Sequence, residues 1–132
     1  ENLELMVGDI QDHEVWFAPV DLIFLGLVLE YVNVEIVMAR MPSMLTARGH
    51  LVTVLQLPNV GQQQVSPSPF KSVSPVGEIM HFVPPARLRE SVEAEGYIQL
   101  ESRVVVSRGG KAFQMQVFGR RPSPTVTTDA EQ

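Results

Sequence analysis

Apolar and polar positions change rhythm several times along this chain, and each rhythm predicts a different element. Leu3, Leu5 and Val7 alternate with Glu4 and Met6 until Gly8-Asp9 stops the pattern, which predicts a short strand ending in a turn. Residues 11–19 form a mixed polar and aromatic connection, and Pro19 ends any helical turn within it. Residues 21–29 are nearly all apolar without alternation. Such a run suits a strand covered on both faces, as in a parallel sheet between helix layers, although periodicity alone leaves a buried helix open. The residues that follow favour the strand. Asn33 is a good N-cap, and Val34, Val37, Met38, Met41 and Leu45 recur at helical spacing. Pro42 should kink that helix and Gly49 should end it. Residues 50–55 form the next buried strand, so this stretch reads as a βαβ unit with a right-handed crossover.

Residues 58–75 are rich in Pro, Ser, Gln and Gly and lack an apolar period, which predicts a long loop of the kind that is functional or mobile. Pro84-Pro85 suits a helix start. Leu88 and Val92 give that helix an apolar stripe, and Gly96 ends it. Residues 97–107 and 111–119 read as two strands joined by Arg108-Gly109-Gly110, a hairpin turn. Residues 121–132 have little to bury and are expected to form a flexible tail after a domain spanning 1–120.

Composition narrows the picture without deciding it. The chain has 132 residues, 45% hydrophobic and 19% charged, as expected of one globular domain. A formal charge of -5 argues against nucleic acid as partner, because phosphate binding needs clustered Lys and Arg. No apolar run approaches the roughly 20 residues a membrane helix needs. The absence of cysteine removes disulfide and thiolate chemistry and fits a cytoplasmic setting. The first residue is Glu1 rather than Met, so an upstream segment is expected.

The order β, β, α, β, loop, α, β-hairpin, taken with four local sequences, resembles the later part of a class I S-adenosylmethionine-dependent methyltransferase. Leu5-Met6-Val7-Gly8-Asp9-Ile10 resembles the family's third strand and the acid after it, and residues 21–32 resemble its fourth strand. Residues 44–52 are similar to the "LKPGG-L" turn into strand five, and residues 82–97 to the penultimate helix with its "GF" ending. The resemblance covers about residues 3–120. It implies an α/β fold: a partial Rossmann-like sheet with helices on its faces, ending in an antiparallel β-hairpin. The family's strand order is 3-2-1-4-5-7-6. Its glycine-rich cofactor loop and the ribose-binding acid have no match in this sequence.

The resemblance also implies a site. Asp9 matches the acid that accepts a hydrogen bond from the adenine amino group, and Ile10 the apolar residue beside the ring. Leu25, Gly26 and Leu27 match backbone-contact positions near the sulfonium. Glu30 and Tyr31 stand where many relatives carry a His pair and, with His81, are the candidates for holding or deprotonating an acceptor. Against these stand plainer roles: a turn aspartate, a packing glycine, an exposed charge at Glu30, and a half-buried aromatic at Tyr31. His13, His50 and His81 show no metal-ligand spacing, and His50 reads as structural. Met38, Met41 and Met44 read as core filling. Trp16 and Phe17 could pack on an adenine ring or close a core.

The function implied is methyl transfer from S-adenosylmethionine to a small-molecule acceptor by the parent protein, with this chain alone expected to be inactive. The alternative is a degenerate methyltransferase-like interaction domain. Residues 58–83 are expected to set the acceptor. Because the resemblance lacks strands one and two, a homodimer or a chain supplying those strands is the expected partner, through residues 3–7 or 22–29.

Overall fold

The computed structural model describes residues 2–58 and 80–122. Strand β1 (Val20–Gly26) leads through a 3-10 turn at Leu29–Tyr31 into helix α1 (Val34–Met44), and strand β2 (Leu45–Gln56) follows. Helix α2 (Pro85–Ala94) precedes the hairpin of β3 (Tyr97–Val106) and β4 (Ala112–Arg120). The sheet order is β1-β2-β4-β3. β1 and β2 are parallel, whereas β4 is antiparallel to both of its neighbours. The α/β expectation holds, down to the closing hairpin.

Cross-strand rows show how the core is built. Ile23 pairs with Leu51, and Leu51 with Phe118, so all three point to one face. Val37, Met38 and Met41 of α1 and Leu88 and Val92 of α2 join Leu51 and Phe118 in a single buried cluster. Both helices therefore lie on one face, where the sequence led us to expect helices on both. On the other face the row Phe24–Val52–Val117 is less covered, and Leu22 and Phe24 are 59% and 62% exposed. The apolar run at 21–29 is thus shorter as a strand than its sequence indicated and is buried on one face only.

Two further expectations are corrected. Residues 3–7 form no strand, and Leu3, Leu5 and Val7 are largely exposed. An alternating pattern becomes a strand only when a neighbour completes its hydrogen bonds, and β1 pairs with β2 alone among the described strands. Helix α1 ends at Met44, not at Gly49, and Gly49 lies inside β2. Arg120 explains the early stop: its guanidinium donates to the carbonyls of Pro42 at 2.8 Å, Leu45 at 2.9 Å and Thr46 at 3.4 Å. Carbonyls that leave a helix without intrahelical partners need such donors. The same guanidinium stacks over the buried Tyr97 ring, 5.4 Å from its centroid.

The other boundaries follow their sequence signals. The Asn33 side chain accepts from the Ile36 N–H at 3.1 Å, closing the start of α1. Gly96 at φ 96° ends α2, and Gly110 at φ 87° turns the hairpin. Met38, Met41 and Met44 are core. The expected loop falls mostly, and the expected tail almost wholly, outside the described residues.

Candidate functional site

Parallel strands of an α/β sheet present their carboxyl ends as the natural place for a ligand. Here an open cleft of about 550 Å³ lies at that end, lined by Val7, Gly8, Asp9, Ile10, Gln11, Val28, Tyr31 and Val32. Two segments far apart in sequence form it: the 7–11 turn and the stretch just after β1.

Hydrogen bonds fix the turn in place. An Asp9 carboxylate oxygen accepts from the Gln11 backbone N–H at 2.9 Å, and the Gln11 amide nitrogen reaches both carboxylate oxygens at 3.1–3.2 Å. The other end of Gln11 accepts from the Asn33 N–H at 2.6 Å, tying the turn to the start of α1. Arg40, on α1, donates to the carbonyls of Ile10 and Val15. A turn with few apolar anchors is thereby held by charge-assisted bonds from one helix. Phe17 packs against the core, whereas Trp16 is 68% exposed and closes nothing.

Asp9 and Ile10, the first two residues singled out in the sequence, are brought together with Tyr31. Leu25 and Gly26 end β1 nearby and Leu27 follows it, but none of the three lines the cleft. Leu25 points into the core. A Cβ at Gly26 would fall 2.6 Å from the Phe24 ring, so that ring already fills the space beside the glycine. Leu27 has φ 58°, a conformation that costs an L-residue about 1–2 kcal/mol, and its N–H donates to the Val54 carbonyl at 3.0 Å. Gln11, Val28 and Val32 were missed. The signal for Gln11 was available, since an acid followed two residues later by an N–H donor is an Asx turn.

Glu30 differs most from expectation. It is 1% exposed, not an exposed charge. One carboxylate oxygen accepts from the Gln56 N–H at 2.6 Å, and the other has no partner. Burial pushes its carboxyl above the ordinary range, against the opposing pull of the Gln56 N–H and the His81 charge. Tyr31 is half-buried, as its plainer role required, and its phenol is raised by burial and then by the Glu30 charge. The His81 N–H donates to the Glu30 carbonyl at 2.9 Å, while the His81 side chain is exposed. His50 is a β2 residue paired with Leu22 and Gly119, and its side chain is exposed.

The sheet order is what places this cleft in a known architecture. β1-β2-β4-β3 reproduces the 4-5-7-6 part of the order implied by the sequence resemblance. The fold is the class I methyltransferase fold. Magnesium protoporphyrin IX methyltransferase from Synechocystis PCC 6803, solved with bound SAH, superposes with a TM-score of 0.61 at 11% identity, covering 89% of this chain and 50% of that one. The mitomycin 7-O-methyltransferase MmcR gives 0.56 at 15% identity, covering 90% of this chain and 34% of that one. A structure described as a pericyclic reaction enzyme gives 0.57 at 10% identity, with 88% and 30% covered. The chain thus spans half or less of the length of these three. No protein-family model and no curated protein matches it. Among the described residues, no helix is long and apolar enough to cross a membrane.

The cleft combines apolar walls from Ile10, Val28 and Val32 with the Asp9 carboxylate as a hydrogen-bond acceptor. Its lining, among the described residues, contains no Lys or Arg.

Proposed function

We propose that this chain forms the adenine-side wall of an S-adenosylmethionine site, in a protein that methylates a small-molecule acceptor. The observation that carries this reading is the convergence of Asp9 and Ile10 with Val28, Tyr31 and Val32 in one cleft, on the methyltransferase fold. When bound, the cofactor supplies an electrophilic methyl group on sulfur. The chain's own residues bind and orient: Asp9 accepts from the adenine amine, Ile10 and Val28 flank the ring, and Gln11 and Arg40 hold the turn. In-line displacement needs positioning above all, so a site without a strong acid–base apparatus is compatible with it. The cleft is open and lacks a cation, and the isolated chain therefore binds the cofactor too weakly to turn over.

Calorimetric titration of S-adenosylmethionine into the complete gene product tests the reading. Asp9→Ala should weaken binding by about 1–3 kcal/mol, the cost of leaving a desolvated donor unpaired. Equal affinity in the two proteins would remove Asp9 from the site. A second reading, a methyltransferase-like interaction domain, draws on the outer edge of β1, which pairs with no other described strand, and on the exposure of Leu22 and Phe24. It predicts no cofactor binding by the complete product.

A further inference from the structure

The Gln11 carboxamide bridges an acceptor and a donor at the Asp9 cleft, whose wall it helps to form. Its nitrogen donates to both Asp9 carboxylate oxygens at 3.1–3.2 Å, and its oxygen accepts from the Asn33 N–H at 2.6 Å. The turn itself does not depend on this bridge. The Gln11 backbone N–H donates to the Asp9 carboxylate at 2.9 Å, and the Asp12 N–H donates to the Asp9 carbonyl at 2.9 Å. Arg40 donates to the carbonyls of Ile10 and Val15, on either side of Gln11. All of these bonds survive if the amide leaves. Gln11 is only half-buried and is not part of the core cluster, so its side chain can swing into water without opening the core. A carboxamide presents an NH2 donor beside an oxygen acceptor. Adenine presents the same pair, its N6 amine beside a ring-nitrogen acceptor. The Asp9 carboxylate and the Asn33 N–H are the matching acceptor and donor, and the fold meets them from within.

We propose that the Gln11 carboxamide is a built-in stand-in for the adenine edge, and that an adenosine ligand binds by displacing it. This rests on the reading of the cleft as an adenosine site and adds to it a residue that sets affinity and selectivity. On binding, the N6 amine takes over the Asp9 carboxylate, a ring nitrogen takes over the Asn33 N–H, and the Gln11 amide moves to water. The hydrogen bonds broken are thus replaced in kind. A ligand offering only one member of the pair leaves either the carboxylate or the N–H without its partner and is disfavoured. Inosine carries a carbonyl where adenosine carries the amine, so it sets an acceptor against the Asp9 carboxylate. Molecules with the amide docked do not bind, and the apparent affinity is therefore scaled by the fraction in which it has swung out.

Side-chain amide NMR of this chain reads the displacement directly. Millimolar adenosine should move the Gln11 NH2 signals to the positions of a solvated glutamine, and inosine at the same concentration should leave them in place. Two variants measure what the docked amide costs a ligand. Gln11→Ala and Gln11→Met, the second keeping the bulk of the cleft wall, should each bind adenosine about fivefold more tightly, the gain expected when a net hydrogen bond need no longer be broken. Adenosine binding with the Gln11 signals unmoved overturns the displacement and leaves the adenosine reading standing. Equal or weaker affinity in both variants does the same. Absence of adenosine binding in the native chain and in both variants overturns the adenosine reading and the displacement together.

Discussion

Glu30 shows how far a residue's meaning depends on its neighbours. In the sequence it precedes a helix start and reads as a surface charge, whereas in the fold its carboxyl sits under the end of β2 with one backbone donor. Nothing local encodes that burial, because Gln56 and His81 come from distant parts of the chain. The energetic consequence has a definite sign. Burial raises the carboxyl above its ordinary value of 4.5, so the folded state holds a proton that the unfolded state releases. This group's contribution to stability is therefore greatest below pH 4.5, declines as pH rises toward the folded value, and is level above it. Urea unfolding from pH 4 to pH 8 checks this: Glu30→Gln should lose less stability over that range than the native chain, and parallel curves would contradict it. Asp9 was more legible, because an acid directly after an alternating run marks the end of a strand-like segment whether or not the strand forms.

At the level of elements, those closed by local chemistry were read correctly and those closed by distant partners were not. Asn33 opens α1 through its own side chain, and Gly96 ends α2 through its own backbone. Asn33→Ala should cost about 1 kcal/mol, read as a lower urea midpoint with an unchanged slope, since only the cap is lost. A loss below about 0.3 kcal/mol would show that other contacts hold the helix start. The end of α1 was misread because the residue that collects its last carbonyls, Arg120, is in β4. Residues 3–7 have the alternation of a strand, but pairing is a property of two segments, and the second is not among the described strands.

Across the whole molecule, the sheet's two edges differ. β3 carries Glu101 and Arg103, paired at 2.8 Å, and charged edges discourage further strand pairing. β1 has no charge from Leu22 to Gly26, and its one acid, Asp21, accepts from the Thr46 hydroxyl at 2.6 Å. This edge is the kind that recruits another chain, and we predict self-association of this chain through it. Light scattering across a concentration series should show a dimer, and Phe24→Lys should shift it toward monomer. A monomer at every concentration would rule out that edge as a self-pairing surface. The strand order itself was anticipated from the family resemblance, while the coverage of a single face was not, because an apolar run states that burial is wanted and not where cover comes from.

The central claim is that the Asp9 cleft is the adenosine wall of a methyl-donor site. Amide NMR of the chain with millimolar S-adenosylhomocysteine tests it most directly, since weak binding still registers residue by residue. The account predicts perturbations clustered at Ile10, Gln11, Val28, Tyr31 and Val32 that vanish in Asp9→Ala. No perturbation, or a cluster elsewhere such as the groove at Glu35 and Ser91 between the helices, would contradict it.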